Sequence, residues 1–279
     1  MNSKKFNTHF AKKSFGQNFL VDQNYIGKII TALGLQKDET IVEIGAGRGA
    51  LTEKLIKSGA NVIAIEFERE MIAVLRKQFG IYENFRLIEE DALKIDFDEL
   101  INRQSAIGNR QPVKLVANLP YNISTAILQK LIEQREVFSE MILMFQLEVV
   151  ERITAKVGNK ERGFLSVLVE ACLETEKLFD VPPNAFLPAP KVRSAVVRLQ
   201  TKPSDEVITK NQKLFREIVS AGFAQKRKTI LNNLKNVPPN LKEKIGDAEK
   251  LLNKSLIDSK RRAETLTLEE WKQILEALT

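Results

Sequence analysis

Histidine and cysteine are almost missing from this 279-residue chain, which has one of each, His9 and Cys172. A single cysteine forms no disulfide within the chain, and without a Cys/His cluster neither a zinc site nor a histidine-based catalytic triad can be assembled. Long apolar runs are missing too. No stretch reaches the ~18 consecutive apolar residues of a membrane-spanning helix, and the lysines of Met1 to Lys13 are not followed by the apolar segment of a secretory signal. A cytoplasmic protein with no membrane partner and no metal is therefore expected. Aromatic residues are few, at 7%, but with 43% hydrophobic and 28% charged residues the composition excludes a disordered, collagen-like or disulfide-scaffold chain. At roughly 150 residues per domain, the length allows about two domains.

The formal charge of +7 is unevenly spread. Residues 1–30 hold five Lys/Arg against one Asp/Glu, residues 201–279 hold sixteen against eleven, and residues 31–200 hold 22 against 24. Basic ends around a slightly acidic middle suit a catalytic centre flanked by segments that grip a phosphate backbone. Solvated lysines alone would give the same pattern.

Between Thr40 and Phe145, short apolar runs alternate with amphipathic stretches, the pattern of parallel strands joined by crossover helices. Strands are expected at Thr40–Ile44, Val62–Ile65, Phe85–Ile88, Val113–Ala117 and Met141–Phe145. Helical spacing shows in Leu51, Leu55 and Ile56, in Met71, Val74 and Leu75, and in Ile127, Leu128, Leu131 and Ile132. Ser166 to Leu178 and Ser194 to Leu199 read as extended segments across a Pro-rich loop, Val181 to Lys191, able to form a hairpin on one sheet edge. From about Pro203 the apolar residues recur at helical spacing, with Pro238-Pro239 and Gly246 as punctuation. The expected fold is α/β, a doubly wound sheet with helices on both faces, followed by a small all-helical domain. The expected division is 1–202 and 203–279.

Val42-Glu43-Ile44-Gly45-Ala46-Gly47-Arg48-Gly49 lies where the first of these strands turns into a helix, and glycines there let a ligand approach the backbone. Glu66 ends the next strand 21 residues after Gly45, in position to bind both hydroxyls of an adenosine ribose. NAD and S-adenosylmethionine both carry that ribose. The spacing G-x-G-x-G departs from the dinucleotide G-x-G-x-x-G, and Glu43 sets a carboxylate just before the first glycine. Both features disfavour a pyrophosphate and fit a cationic cofactor. Asp91, after the third strand, fits the same site, although a helix N-cap would also account for it.

Asn118-Leu119-Pro120-Tyr121 follows the apolar strand Val113 to Ala117, at the sheet edge where such folds bind ligands. An adenine N6 amine is a poor nucleophile because its lone pair is delocalised into the ring. Two acceptors on its hydrogens, the Asn118 Oδ1 and the Leu119 carbonyl, would favour a pyramidal, reactive nitrogen. Pro120 fixes φ and withholds an N–H, and Tyr121 offers a face for a base. A turn with a packed tyrosine is the plainer reading of the same four residues.

Together, the glycine loop, Glu66, Asp91 and Asn118–Tyr121 resemble the ribosomal RNA adenine N6-dimethyltransferases, most closely their bacterial small-subunit (16S) branch. The resemblance extends to Phe15–Leu20, Gln146–Arg152, Phe186–Val192 and Ala221–Thr229, nearly the whole chain. It implies a Rossmann-like S-adenosylmethionine-dependent methyltransferase that dimethylates two adjacent adenines near the 3′ end of 16S rRNA within the assembling small subunit. It implies cofactor contacts from Asn18, Leu20, Gly45, Gly47, Glu66, Asp91 and Asn118. Tyr121 and Phe186 would sandwich the target base, with Asn118 and Leu119 holding its amine. From the residues alone, Phe186 is equally an apolar plug between prolines, and Asn18 a helix cap before Gln23 to Leu33.

Phosphate contacts are expected from Lys12 and Lys13, with Lys4 and Lys5 beside them, and from Arg216, Lys226, Arg227, Lys228, Arg261 and Arg262. A monomer is expected. Three other functions are compatible with parts of the pattern. A large-subunit adenine methylase is disfavoured by the long basic helical domain, and a non-catalytic assembly factor by the intact site residues. A nicotinamide-dependent dehydrogenase is disfavoured by the glycine spacing.

Overall fold

The computed structural model describes residues 18–102 and 113–279. The expected contacts Lys12 and Lys13, with Lys4 and Lys5, lie outside those residues. The chain divides into two compact units, one of Met1–Val150 with Glu176–Thr201 and one of Glu151–Thr175 with Lys202–Thr279.

The first unit carries most of a seven-stranded sheet. Its strands are β2 (Thr40–Ile44), β3 (Asn61–Glu66), β4 (Phe85–Glu89), β5 (Val113–Asn118), β6 (Phe138–Gln146), β7 (Leu173–Val181) and β9 (Ser194–Thr201). They lie in the order β4-β3-β2-β5-β6-β9-β7, and a separate two-stranded ribbon pairs β1 (Phe19–Leu20) with β8 (Phe186–Leu187). The strands β2 to β6 are mutually parallel, and β9 runs antiparallel to β6. All five strands expected up to Phe145 are present. β2, β3, β5 and β6 are buried on both faces, which is why their apolar residues are nearly continuous, whereas β4 lies at the sheet edge and is only partly buried.

The helices of this unit are α1 (Gln23–Leu33), α2 (Thr52–Lys57), α3 (Arg69–Phe79), α4 (Phe97–Asn102) and α5 (Ser124–Glu133). The strand order steps one way from β2 to β4 and the other way from β5 to β6. Right-handed crossovers therefore put α2 and α3 on one face of the sheet and α4 and α5 on the other. The core agrees: Ile26, Ile29 and Leu33 of α1, Leu55 of α2 and Leu75 of α3 form one cluster with Ile41, Val62, Val116 and Ile142. Alternate strand residues such as Val42, Ile63 and Leu115 are equally buried and point the opposite way.

In the second unit, α7 (Phe164–Cys172) joins the helices α8 (Glu206–Lys210), α9 (Gln212–Gly222), α10 (Ile230–Lys235), α11 (Pro239–Ile245), α12 (Ala248–Lys254) and α13 (Leu268–Leu278), after α6 (Leu147–Ile153), which straddles the division. Two expectations are corrected here. Ser166 to Cys172 is helical rather than extended, and β7 begins only at Leu173. Leu165, Val167, Leu168 and Val169 are all buried, so this helix has no polar stripe to reveal its period. The division at 202/203 is corrected as well, because Glu151–Thr175 belongs with the helices, where α7 packs on α9 and α13. Arg162 holds that segment, donating to the carbonyls of Ala155 and Leu266 and pairing with Glu170. The loop-like Val157–Lys160 is tied in by the Gly158 N–H, which donates to the Glu264 carbonyl at 2.9 Å. Phe223 stacks on the buried Trp271, and Gly222 lies so close that a Cβ would meet the indole at 2.3 Å. No helix among the described residues is long and apolar enough to cross a membrane.

Candidate active site

The strand order reverses between β2 and β5, and loops leaving neighbouring carboxyl ends at such a switch point part to leave a crevice. A cavity of about 380 Å3 opens there, lined by the glycine loop, the end of β3, Asp91, Asn118 to Tyr121 and the segment Asn18–Val21.

Gly45, Gly47 and Gly49 all have positive φ, 72°, 54° and 79°, which shapes the loop. Gly49 has a second constraint, since a Cβ there would lie 2.3 Å from the Phe79 ring. The loop is stapled to β3 at two points. The Gly45 N–H donates to the Ile65 carbonyl at 2.9 Å, and the Gly47 N–H to Glu66 Oε2 at 2.9 Å. The other carboxylate oxygen of Glu66 accepts from the Phe67 and Glu68 N–H groups at 2.9 and 3.0 Å. Three backbone donors thus hold a carboxylate that is only 6% exposed, and about one of its four lone-pair sites, on Oε2, is left for the cavity. Asp91 caps no helix: its side chain accepts from the Leu93 N–H at 2.9 Å in a turn, at the cavity wall.

Glu43 lies beneath the glycine loop, 2% exposed, and accepts the Thr52 hydroxyl at 2.6 Å. Burial pushes its carboxyl up to about 7, the Thr52 hydrogen bond works against the rise, and the nearby Glu66 adds to it. The cavity wall carries four carboxylates, Glu53, Glu66, Glu90 and Asp91, the Glu43 carboxyl that burial holds protonated up to about pH 7, and a single cationic side chain, Arg48. That balance repels a pyrophosphate and accommodates a sulfonium nucleoside, whose ribose hydroxyls suit Glu66. S-adenosylmethionine therefore fits the residues present.

On the opposite wall, Asn118 ends β5 and donates through Nδ2 to the Asn18 carbonyl at 3.3 Å. That contact fixes which way the amide faces and turns Oδ1 into an acceptor for something else. Tyr121 is half-buried, its hydroxyl 2.8 Å from that of the fully buried Ser194 at the start of β9. Burial raises the phenol above its ordinary value, with the Ser194 contact partly offsetting the rise, so the ring stays neutral.

Of the residues expected at the site, Asn18, Leu20, Gly45, Gly47, Glu66, Asp91 and Asn118–Tyr121 all line this one cavity. Asn18 is not a helix cap, because Asp22 caps α1, accepting from the Asn24 N–H. Phe186 is not brought into the cavity: it is 3% exposed, opposite Leu20 in the β1/β8 ribbon and inside the core cluster. Among the expected phosphate contacts, Lys226, Arg227, Lys228 and Arg262 are exposed. Arg261 is engaged elsewhere, paired through two nitrogens with Glu270 at the head of α13. Arg216 is half-buried on α9. Sequence reading gave no role to Thr52, Ser194, Phe19 or Arg48. Ser194 acts through a partner 73 residues away and Thr52 through Glu43, nine residues before it, whereas Phe19 and Arg48 lie inside the motifs themselves.

A Rossmann-like sheet with a carboxylate-rich glycine-loop cavity beside an Asn-Leu-Pro-Tyr wall defines an S-adenosylmethionine-dependent methyltransferase class. The chain belongs to the ribosomal RNA adenine dimethylase family, whose pattern it matches over residues 8–274. It is 40% identical to "Ribosomal RNA small subunit methyltransferase A" of Geobacillus thermodenitrificans, covering 96% of this chain and 90% of that one. The protein of the same name from Saccharophagus degradans is 41% identical, covering 97% and 95%. Among solved structures, a dimethyladenosine transferase from Plasmodium falciparum superposes with a TM-score of 0.71 at 28% identity, covering 92% of this chain and 95% of that one. A 23S rRNA methyltransferase, ErmE, shares the fold with a TM-score of 0.64 at 23% identity, covering 94% and 99%.

Proposed function

We propose that this chain transfers methyl groups from S-adenosylmethionine to the N6 amines of two adjacent adenines near the 3′ end of 16S rRNA, acting as a cytoplasmic monomer on the assembling small subunit. The observation that carries this reading is the Asn118 amide. Its nitrogen is committed to the Asn18 carbonyl, so its oxygen is the acceptor left for an exocyclic amine.

S-adenosylmethionine supplies a methyl group on a sulfonium, which departs as a neutral thioether. Glu66 would hold the ribose, Asp91 the adenine of the cofactor, and Gly45 would lie against its amino-acid end. The carboxylates around the loop favour binding of the cationic cofactor and release of its neutral product. Asn118 Oδ1 and the Leu119 carbonyl accept the two amine hydrogens, drawing the lone pair out of the ring. The Pro120 ring fixes that carbonyl's direction, and the Ser194 hydroxyl anchors the Tyr121 ring on which the base stacks. No strong base is required, because the methylated nitrogen is acidic and solvent takes its proton. Catalysis is positioning and electrostatics.

A stacked adenine does not present N6, so the base is extruded or taken from a loop at a cost of a few kcal/mol. The second unit supplies the grip. Asn233 is buried and donates to the Gly222 and Gln225 carbonyls, shaping the loop that carries Lys226, Arg227 and Lys228 into solvent. With Arg262 they are the phosphate contacts of this reading.

Transfer of labelled methyl to small subunits lacking their 3′-end adenine methylation, followed by nucleoside analysis, tests it. N6,N6-dimethyladenosine at the paired adenines is expected. Methyladenosine at another site would move the RNA target, and binding without transfer would overturn the enzymatic reading.

A further inference from the structure

The segment Asn18–Val21 lies along the cavity and is fastened from three directions. The Phe19 ring rests against Gly47, where a Cβ would approach it to 3.1 Å, and the Arg48 guanidinium lies over the ring with its carbon 4.6 Å from the centroid. Leu20 is buried and pairs with Phe186 across the β1/β8 ribbon, and the Val21 and Asp22 N–H groups donate to the Ala185 carbonyl at 2.9 and 3.2 Å. The third tie is the Asn18 carbonyl, which accepts from Asn118 Nδ2. The residue beside Phe19 is therefore the one that sets the orientation of the Asn118 amide.

We infer that Phe19, clamped between Gly47 and Arg48, is a positioning residue for methyl transfer: by seating the Asn18 carbonyl it turns the Asn118 oxygen toward the adenine amine. A glycine at position 47 leaves room for the ring, and the guanidinium stacked over it adds a cation–π attraction. With the ring gone, the segment that carries the Asn18 carbonyl loses its tie to the glycine loop, and the amide can rotate its nitrogen toward the cavity, where a donor repels the N6 hydrogens. Both of the ring's contacts, Gly47 and Arg48, belong to the glycine loop, so Phe19 ties the segment that carries the Asn18 carbonyl to that loop.

This inference rests on the reading of Asn118 as the amine acceptor, so its test carries Asn118→Ala alongside. Single-turnover methyl transfer is measured at saturating cofactor and RNA for wild type, Phe19→Ala, Phe19→Tyr, Arg48→Ala, Asn118→Ala and the double variant Phe19→Ala/Asn118→Ala, with cofactor affinity measured separately by equilibrium titration. Phe19→Ala is expected to lose roughly tenfold to a hundredfold in rate with cofactor saturating, the scale of a small misplacement of a reacting group. Arg48→Ala is expected to lose less, and Phe19→Tyr, which keeps the stack, to retain most of the rate. In the Asn118→Ala background, Phe19→Ala is expected to cost almost nothing further, because the two act as a unit. A Phe19→Ala rate restored in full by saturating cofactor, or losses that multiply in the double variant, would overturn the inference. Full activity in Asn118→Ala would instead overturn the acceptor reading beneath it. Melting temperatures separate either result from loss of folding.

Discussion

The cavity of the first unit and the basic loop of the second carry opposite charge and hold it in opposite ways. In the cavity wall the two buried acids are pinned, the Glu66 carboxylate by three backbone N–H groups and the Glu43 carboxyl, protonated up to about pH 7, by the Thr52 hydroxyl. In the helical unit, Lys226, Arg227 and Lys228 project from a loop fixed by Asn233 but are themselves exposed. Pinned groups recognise one small ligand in one geometry. Exposed cations neutralise phosphates with little demand on geometry and act through counterion release. Arg261 marks the border between the two modes, since its pairing with Glu270 makes it part of the packing of α13 rather than of a gripping surface. Glu270 shows that pairing: burial alone would raise its carboxyl, but the Arg261 contact and the Thr267 N–H hold it below its ordinary value.

The largest break of this comparison is expected from Asn118→Ala, which removes an acceptor from the reacting nitrogen while leaving the phosphate contacts alone. Methyl transfer should fall about 10²- to 10³-fold, the scale for deleting one preorganised hydrogen-bonding group, with RNA affinity unchanged in a filter-binding assay. Glu66→Ala comes next. It leaves the N–H groups of Gly47, Phe67 and Glu68 without their carboxylate, and cofactor affinity by calorimetry should drop roughly tenfold to a hundredfold, the equivalent of about 1.5–3 kcal/mol for hydrogen bonds to a charged group. An unchanged dissociation constant would remove Glu66 from the site.

Replacing Lys226, Arg227 and Lys228 together by alanine sharpens the other side of the comparison. RNA affinity should weaken uniformly across sequences, and the slope of log affinity against log salt should become shallower by about 2–3. A slope equal to that of wild type would take the loop off the RNA.

The smallest effect is in pH. Glu43 keeps its proton in the folded chain up to about pH 7, whereas the unfolded chain loses it near the ordinary value of 4.5. The folded state therefore binds more protons across that window, and stability falls as pH rises through it, then levels off above about 7. The total change is at most a few kcal/mol. Denaturant unfolding across pH should show that this component of the fall disappears in Glu43→Gln, which can still accept the Thr52 hydroxyl.

Much of this arrangement was legible in the sequence because its signals are local. The inner parallel strands are buried on both faces and read as apolar runs, and the glycine loop, Glu66 and the Asn118 tetrapeptide stand at strand ends where the topology converges. What escaped depends on distant partners. The Tyr121–Ser194 contact joins residues 73 apart, and Asn118–Asn18 joins residues 100 apart. Phe186 reads from its residues as an apolar plug as readily as the base-stacking face that the family resemblance implies, and pairing of β8 with β1 makes it core. Helix α7 was hidden because its apolar residues encircle it, and the capping of α1 by Asp22 left Asn18 to serve the cavity instead.

The central claim is that the cavity performs the chemistry and the basic loop supplies affinity. Single-turnover rate at saturating RNA and RNA dissociation constant, measured together for Asn118→Ala and for the Lys226/Arg227/Lys228 triple alanine variant, test it most directly. The account predicts a crossed result, with rate lost and affinity kept in the first variant, and affinity lost and saturated rate kept in the second. Loss of both quantities together in both variants would contradict it.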